Sequence, residues 1–66
     1  MKKNYKVSEV LKKLSDDGWH IDRIRGDHRQ LRHPTKKGTV TVAGKLTLTL
    51  KPKTLKSIRD SSQVDF

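Results

Sequence analysis

The residues with the clearest capacity for chemistry lie in one run, Gly26-Asp27-His28-Arg29-Gln30-Leu31-Arg32-His33-Pro34. A glycine turn delivers His28 into a basic, strand-like segment that Pro34 closes. An imidazole has an unperturbed pKa near 6.5, so His28 can give or take a proton at neutral pH. The guanidinium groups beside it suit a bound polyanion. A lone histidine in a basic strand is also, more often than not, an ordinary surface residue. Both readings stand on residue types alone.

Other chemistries find less support. The chain has 3 histidines and no cysteine, and its acids are scattered, so no metal-ligand spacing is recognisable. Gly26, Gly38 and Gly44 stand apart and form no phosphate loop. The serines show no local nucleophile motif. Trp19 reads as core, and only 5% of residues are aromatic. Nucleic-acid binding would then rest on backbone and shape rather than on stacked bases. No cofactor is expected.

The elements that must position His28 follow from patterning. Val7, Val10, Leu11 and Leu14 fall at i, i+3, i+4 and i+7, which predicts a helix over 6–16. Glu9 and Lys13 stand four apart in the favourable order. Asn4 and Ser8 both qualify as N-cap, and Gly18 is the expected stop. Lys6, Lys12 and Lys13 lie off the stripe, as a solvated face. Residues 19–25 predict a strand in which Trp19 and Ile21 alternate with His20 and Asp22. Arg23 and Ile24 break the alternation, which marks a bulge or the onset of the turn. Residues 28–33 and 39–43 predict two further strands, with Pro34–Gly38 as the loop between them. Short connections make all three antiparallel neighbours. Leu46, Leu48 and Leu50 alternate with threonines, but Gly44 and Pro52 bound the run, so an extended connection is expected. Pro52 suits a first helical turn, and Leu55 and Ile58 support a helix from about 52 to 61. Val64 and Phe66 are expected to dock on the core or on a partner.

The sum is one α+β domain over residues 1–66, its ordered core about 6–61. Helix, three-stranded antiparallel sheet and helix (α-β-β-β-α) form two layers with one sheet face open. Leu31 is the large apolar residue of the second strand, so odd positions face the helices. His28, Gln30 and Arg32 then share the open face with Thr39, Thr41 and His20. Only 30% of residues are apolar, so the core is small. The net charge is +9, from 16 Lys and Arg against 7 Asp and Glu. That field draws polyanions, with nucleic acid foremost. No stretch is long and apolar enough to span a membrane, and neither helix suits a lipid surface. Met1-Lys2-Lys3 begins like a signal peptide, but Asn4-Tyr5-Lys6 is no apolar core for one. A cytoplasmic protein is expected.

Four pieces in order carry a family resemblance. They are Gly18-Trp19; Gly26-Asp27-His28 with Arg32-His33-Pro34; Val40-Thr41-Val42; and Lys51-Pro52-Lys53-Thr54-Leu55-Lys56-Ser57-Ile58. The chain resembles the HicA family of toxins over nearly its whole length. The resemblance implies a double-stranded-RNA-binding-like fold and a ribonuclease that cuts mRNA and blocks translation. It implies a neighbouring HicB antitoxin as partner, and it maps the family's catalytic histidine onto His28. The chain departs from the family in having Asp27 where serine is usual. A carboxylate there can orient the imidazole or favour its protonated form, and it repels phosphate. The chain also departs at Arg59–Gln63, where a glutamine-alanine-glycine ending is common.

With the resemblance, His28 is assigned as general acid/base of a metal-independent endoribonuclease. Arg29 and Arg32 are phosphate-binding candidates, with Arg25, Lys36 and Lys37 as further RNA contacts. His20 and His33 are read as ordinary structural or surface residues. The second proton-transfer group is left among His20, Asp27, a lysine and water. The alternative is a non-catalytic double-stranded-RNA-binding module.

Overall fold

The computed structural model describes residues 4–66, and Met1–Lys3, including the start of the signal-peptide comparison, lie outside them. The order is α1 (Val7–Asp17), β1 (His20–Arg25), β2 (His28–Arg32), β3 (Val40–Ala43) and α2 (Pro52–Ser62). The three strands form one antiparallel sheet in the order β1-β2-β3. This is the expected two-layer α+β arrangement, with the element order of the double-stranded-RNA-binding-like fold.

Helix α1 buries Val7, Val10 and Leu14. Its N-cap is Lys6, where Asn4 or Ser8 was expected. The capping comes from elsewhere in the chain. Glu9 Oε1 accepts the Lys6 N–H at 3.0 Å. The carbonyls of Leu48 and Leu46 accept the N–H groups of Val7 (2.9 Å) and Ser8 (3.1 Å). Distant carbonyls thus satisfy the orphan donors of a first helical turn, and this explains the 44–51 segment. It is the extended connection expected, joined to Lys6 by an isolated bridge at Thr49. Gly18 ends α1 with φ 111°. A Cβ there would also lie 2.8 Å from His33 Nε2, so glycine is required twice over.

Both helices pack on one sheet face, chiefly on β3. The core joins Val7, Val10, Leu14, Trp19, Leu31, Val40, Val42, Leu50 and Ile58 with Tyr5. Val64 and Phe66 pack against this core, and Phe66 meets Tyr5 edge-on at 5.3 Å. The C-terminal tail therefore docks on the core. Lys13, expected in solvent, places its ammonium over the Tyr5 and Phe66 rings at 5.8 and 5.5 Å. Strand β1 lies at the margin of this core: every one of its residues is exposed, Ile21 included, because the helices pack chiefly on β3.

Candidate active site

The open face forms as parity predicts. A bulge lies between Ile21 and Arg23 in the β1–β2 ladder, and beyond it Arg23 stands opposite Gln30 and Arg25 opposite His28. Gln30 in turn faces Thr41 on β3. Paired residues of adjacent strands project to the same side. Arg23, Arg25, His28, Gln30 and Thr41 therefore line one cleft of about 340 Å³. Its chemistry is two guanidiniums, an imidazole, an amide and a hydroxyl.

The hairpin turn sets His28 at the end of this cleft. Gly26 has φ 60°, and Asp27 is not among the residues with positive φ. That is the pattern of a two-residue turn with glycine first, which matches strand twist. The Asp27 carbonyl accepts the Gly44 N–H at 3.1 Å and Arg29 Nη1 at 3.2 Å. Arg29 Nη1 also donates to the Gly44 carbonyl at 2.9 Å. The turn is thereby tied to the end of β3. The Asp27 carboxylate lies 3.1 Å from His28 Nδ1, and the two side chains are 58% and 63% exposed. This contact leaves Nε2 as the ring nitrogen not engaged by Asp27.

The structure separates the arginines and lysines expected to act together. Arg25 shares the cleft with His28. Arg32 lies on the same face but opposite His20, roughly 13 Å along the strand from His28. Its Nε stands 3.9 Å from Asp22. Arg29 does not join them. It has the odd parity of Leu31, stands opposite Val42 and spends its guanidinium on turn carbonyls. Lys36 is likewise taken. Its Nζ donates to Asp17 Oδ2 at 2.6 Å, to the Ser62 carbonyl at 3.1 Å and to the Gln63 carbonyl at 3.3 Å. This latch joins the ends of both helices. The ammonium hydrogen-bonded to it holds the Asp17 carboxyl below its usual value, against an opposing effect of burial. Lys37 is exposed in the Pro34–Gly38 loop, at the end of β2 away from the hairpin. Arg23 is the cleft residue that the sequence reading missed. The signal was present, because a bulge at Asp22 turns Arg23 onto the His28 face.

His33 has the opposite environment. Its side chain is 8% exposed and meets Trp19 edge-on at 5.3 Å. Nδ1 accepts the N–H groups of Thr35 and Lys36, each at 3.1 Å. That assigns the proton to Nε2, which donates to the Asp17 carbonyl at 2.7 Å. Among the described residues, no three His, Cys, Asp or Glu converge as a metal site, and no helix is long and apolar enough to cross a membrane.

A comparison with family models decides the lineage. The model described as "HicA toxin of bacterial toxin-antitoxin" matches residues 7–64. The chain belongs to the HicA toxin family. This match spans both helices and the whole sheet, so the cleft lies within the HicA domain. A comparison with curated proteins gave no match. As a HicA toxin, the protein is one half of a toxin–antitoxin pair, and an antitoxin is its partner.

Proposed function

We propose that this HicA toxin is an endoribonuclease that cuts mRNA in the cytoplasm, blocks translation and is neutralised by a HicB-like antitoxin. The observation that carries the reading is His28, open to solvent at the end of a cleft shared with Arg23 and Arg25. RNA brings its own nucleophile. His28 Nε2 takes the proton of a 2′-OH, the 2′ oxygen bonds to the adjacent phosphorus, and the bond from phosphorus to the 5′ oxygen breaks. Water supplies a proton to that leaving oxygen. The products are a 2′,3′-cyclic phosphate and a 5′-OH, and no metal is required. Acid–base catalysis of this kind contributes roughly 10²–10⁴-fold. Arg23 and Arg25 hold the phosphate and offset the charge that gathers on it.

In this reading Asp27 is a positioning residue. Its carboxylate accepts a hydrogen bond from Nδ1–H, which keeps the Nε2 lone pair available to the 2′-OH. His20 stands too far along the sheet to serve as the second proton donor. Asp27 is engaged with His28, and water takes that part. Arg32 and Lys37 extend the basic surface for flanking phosphates, while Arg29 and Lys36 act on the fold.

Separate induction of wild type and His28→Ala in culture tests the proposal. Wild type is expected to arrest growth and deplete mRNA, and His28→Ala to do neither. Equal arrest by both would remove His28 from the chemistry. Purified protein that binds duplex RNA and never cleaves it would return the non-catalytic binding module.

A further inference from the structure

We propose that the antitoxin docks on the free edge of β1 by adding an extended segment whose side chains alternate between aliphatic and acidic. The inference rests on the antitoxin partner that family membership brings, and it does not depend on the ribonuclease chemistry.

Strand β1 pairs with β2 alone, so its outer edge is unpaired among the described residues. A row of strand N–H and C=O groups is a template for another strand. The two sides of this edge differ in chemistry. Ile21 pairs with Leu31 and Ile24 with Arg29, which turns both isoleucines to the helix side. The helices do not cover them, and they are 47% and 59% exposed. Between β1 and α1 runs a groove of about 450 Å³ whose lining includes Leu11, Lys12, Trp19, Ile21 and Leu31. Arg23 and Arg25 occupy the other side of the strand. The bulge at Asp22 produces this division, because it brings isoleucines three positions apart to one side.

A strand laid along this edge places alternate side chains against the aliphatic groove and against the two guanidiniums. Apolar residues match the first and carboxylates the second. A second copy of the chain fits badly. It would set Arg23 and Arg25 against the same residues, and like charges across a ladder repel. The net charge of +9 adds to that repulsion and favours an acidic partner. Charged edges and bulges also serve simply to discourage aggregation. That role explains Arg23 and Arg25 but not two uncovered isoleucines beside an apolar groove. The position has a consequence for neutralisation. Acidic side chains over Arg23 and Arg25 occupy the cations of the cleft that His28 shares, and so exclude RNA from it.

The test uses the full toxin with its antitoxin. Amide hydrogen exchange is followed for the toxin alone and in the complex, and binding is measured for wild type and for Ile21→Ser/Ile24→Ser. Slower exchange within 20–25 in the complex is expected. The double variant is expected to lose roughly tenfold or more in affinity, while circular dichroism shows it folded and the free variant keeps the activity of wild type. A complex in which β1 exchanges as in the free toxin overturns the proposal, as does a double variant that binds like wild type. Failure to form any complex overturns it too. Protection of β1 that grows with the concentration of toxin alone would make a second copy the occupant and overturn the antitoxin. Because the readouts are exchange and affinity, loss of the ribonuclease reading would leave this result standing.

Discussion

His28 and His33 are five positions apart in sequence and have opposite fates. His28 sits at an even position on the open face, with its ring in solvent beside Arg25 and Asp27. His33 continues the odd parity of Leu31 and is packed under Trp19, with both ring nitrogens in hydrogen bonds to the backbone. One imidazole has a nitrogen to offer a substrate, and the other has none. Strand parity and the end of the sheet each ring occupies separate them, since the two side chains are chemically identical. The same rule divides the cations. Arg25 is even-faced by pairing and lines the cleft, whereas Arg29 and Lys36 hold the scaffold together.

The contrast can be broken first at the two histidines. His28→Ala should lower RNA cleavage by roughly 10²–10⁴-fold and leave the melting temperature close to wild type. His33→Ala should do the reverse. It removes the ring packed on Trp19 and the acceptor of the part-buried Lys36 N–H, at a cost of about 1–3 kcal/mol, and the fraction that stays folded should cleave normally. Thermal melts and cleavage assays on the same preparations check both.

The cations sharpen the contrast at smaller amplitude. Arg23→Ala and Arg25→Ala should each weaken RNA binding and reduce the log–log salt slope by about 1. Lys36→Met should leave that slope unchanged and lower stability by about 1–2 kcal/mol, because carbonyls at the end of α2 lose their charged donor. Urea titrations and binding isotherms over a range of salt separate these outcomes.

The smallest effect concerns pH. The hydrogen bond from Lys36 holds the carboxyl of Asp17 below the usual carboxylate value. A depressed folded-state pKa stabilises the fold above the unfolded value, and that contribution disappears as pH falls through the folded value. Wild type should therefore exceed Asp17→Asn in stability at neutral pH, and the gap should close as acid protonates the Asp17 carboxyl of the folded protein. A denaturation series across pH measures the gap.

Much of this was legible in the sequence. Three strands, two helices, the glycine stop of α1 and the open face with His28, Gln30 and Thr41 all follow from periodicity and Leu31. Arg29 was assigned to phosphate for its charge and its place beside His28, although its odd parity points off that face, and the structure spends it on turn carbonyls. The bulge was expected near Arg23, yet its effect on the facing of Arg23 required the register. Long-range hydrogen bonds stayed out of reach. Nothing local in Lys36 says that it will find Asp17 and the end of α2. Nothing in Leu46 or Leu48 says that their carbonyls will cap α1. The exposure of Ile21 and Ile24 depends on where the helices come to rest, which strand patterning does not encode.

The most direct measurement is the single-turnover rate at which wild type and His28→Ala cleave one RNA, with binding and folding of both established separately. The account predicts a fall of roughly a hundredfold or more with binding retained, and a 2′,3′-cyclic phosphate on the wild-type product. Equal rates from two folded, equally bound proteins would contradict it.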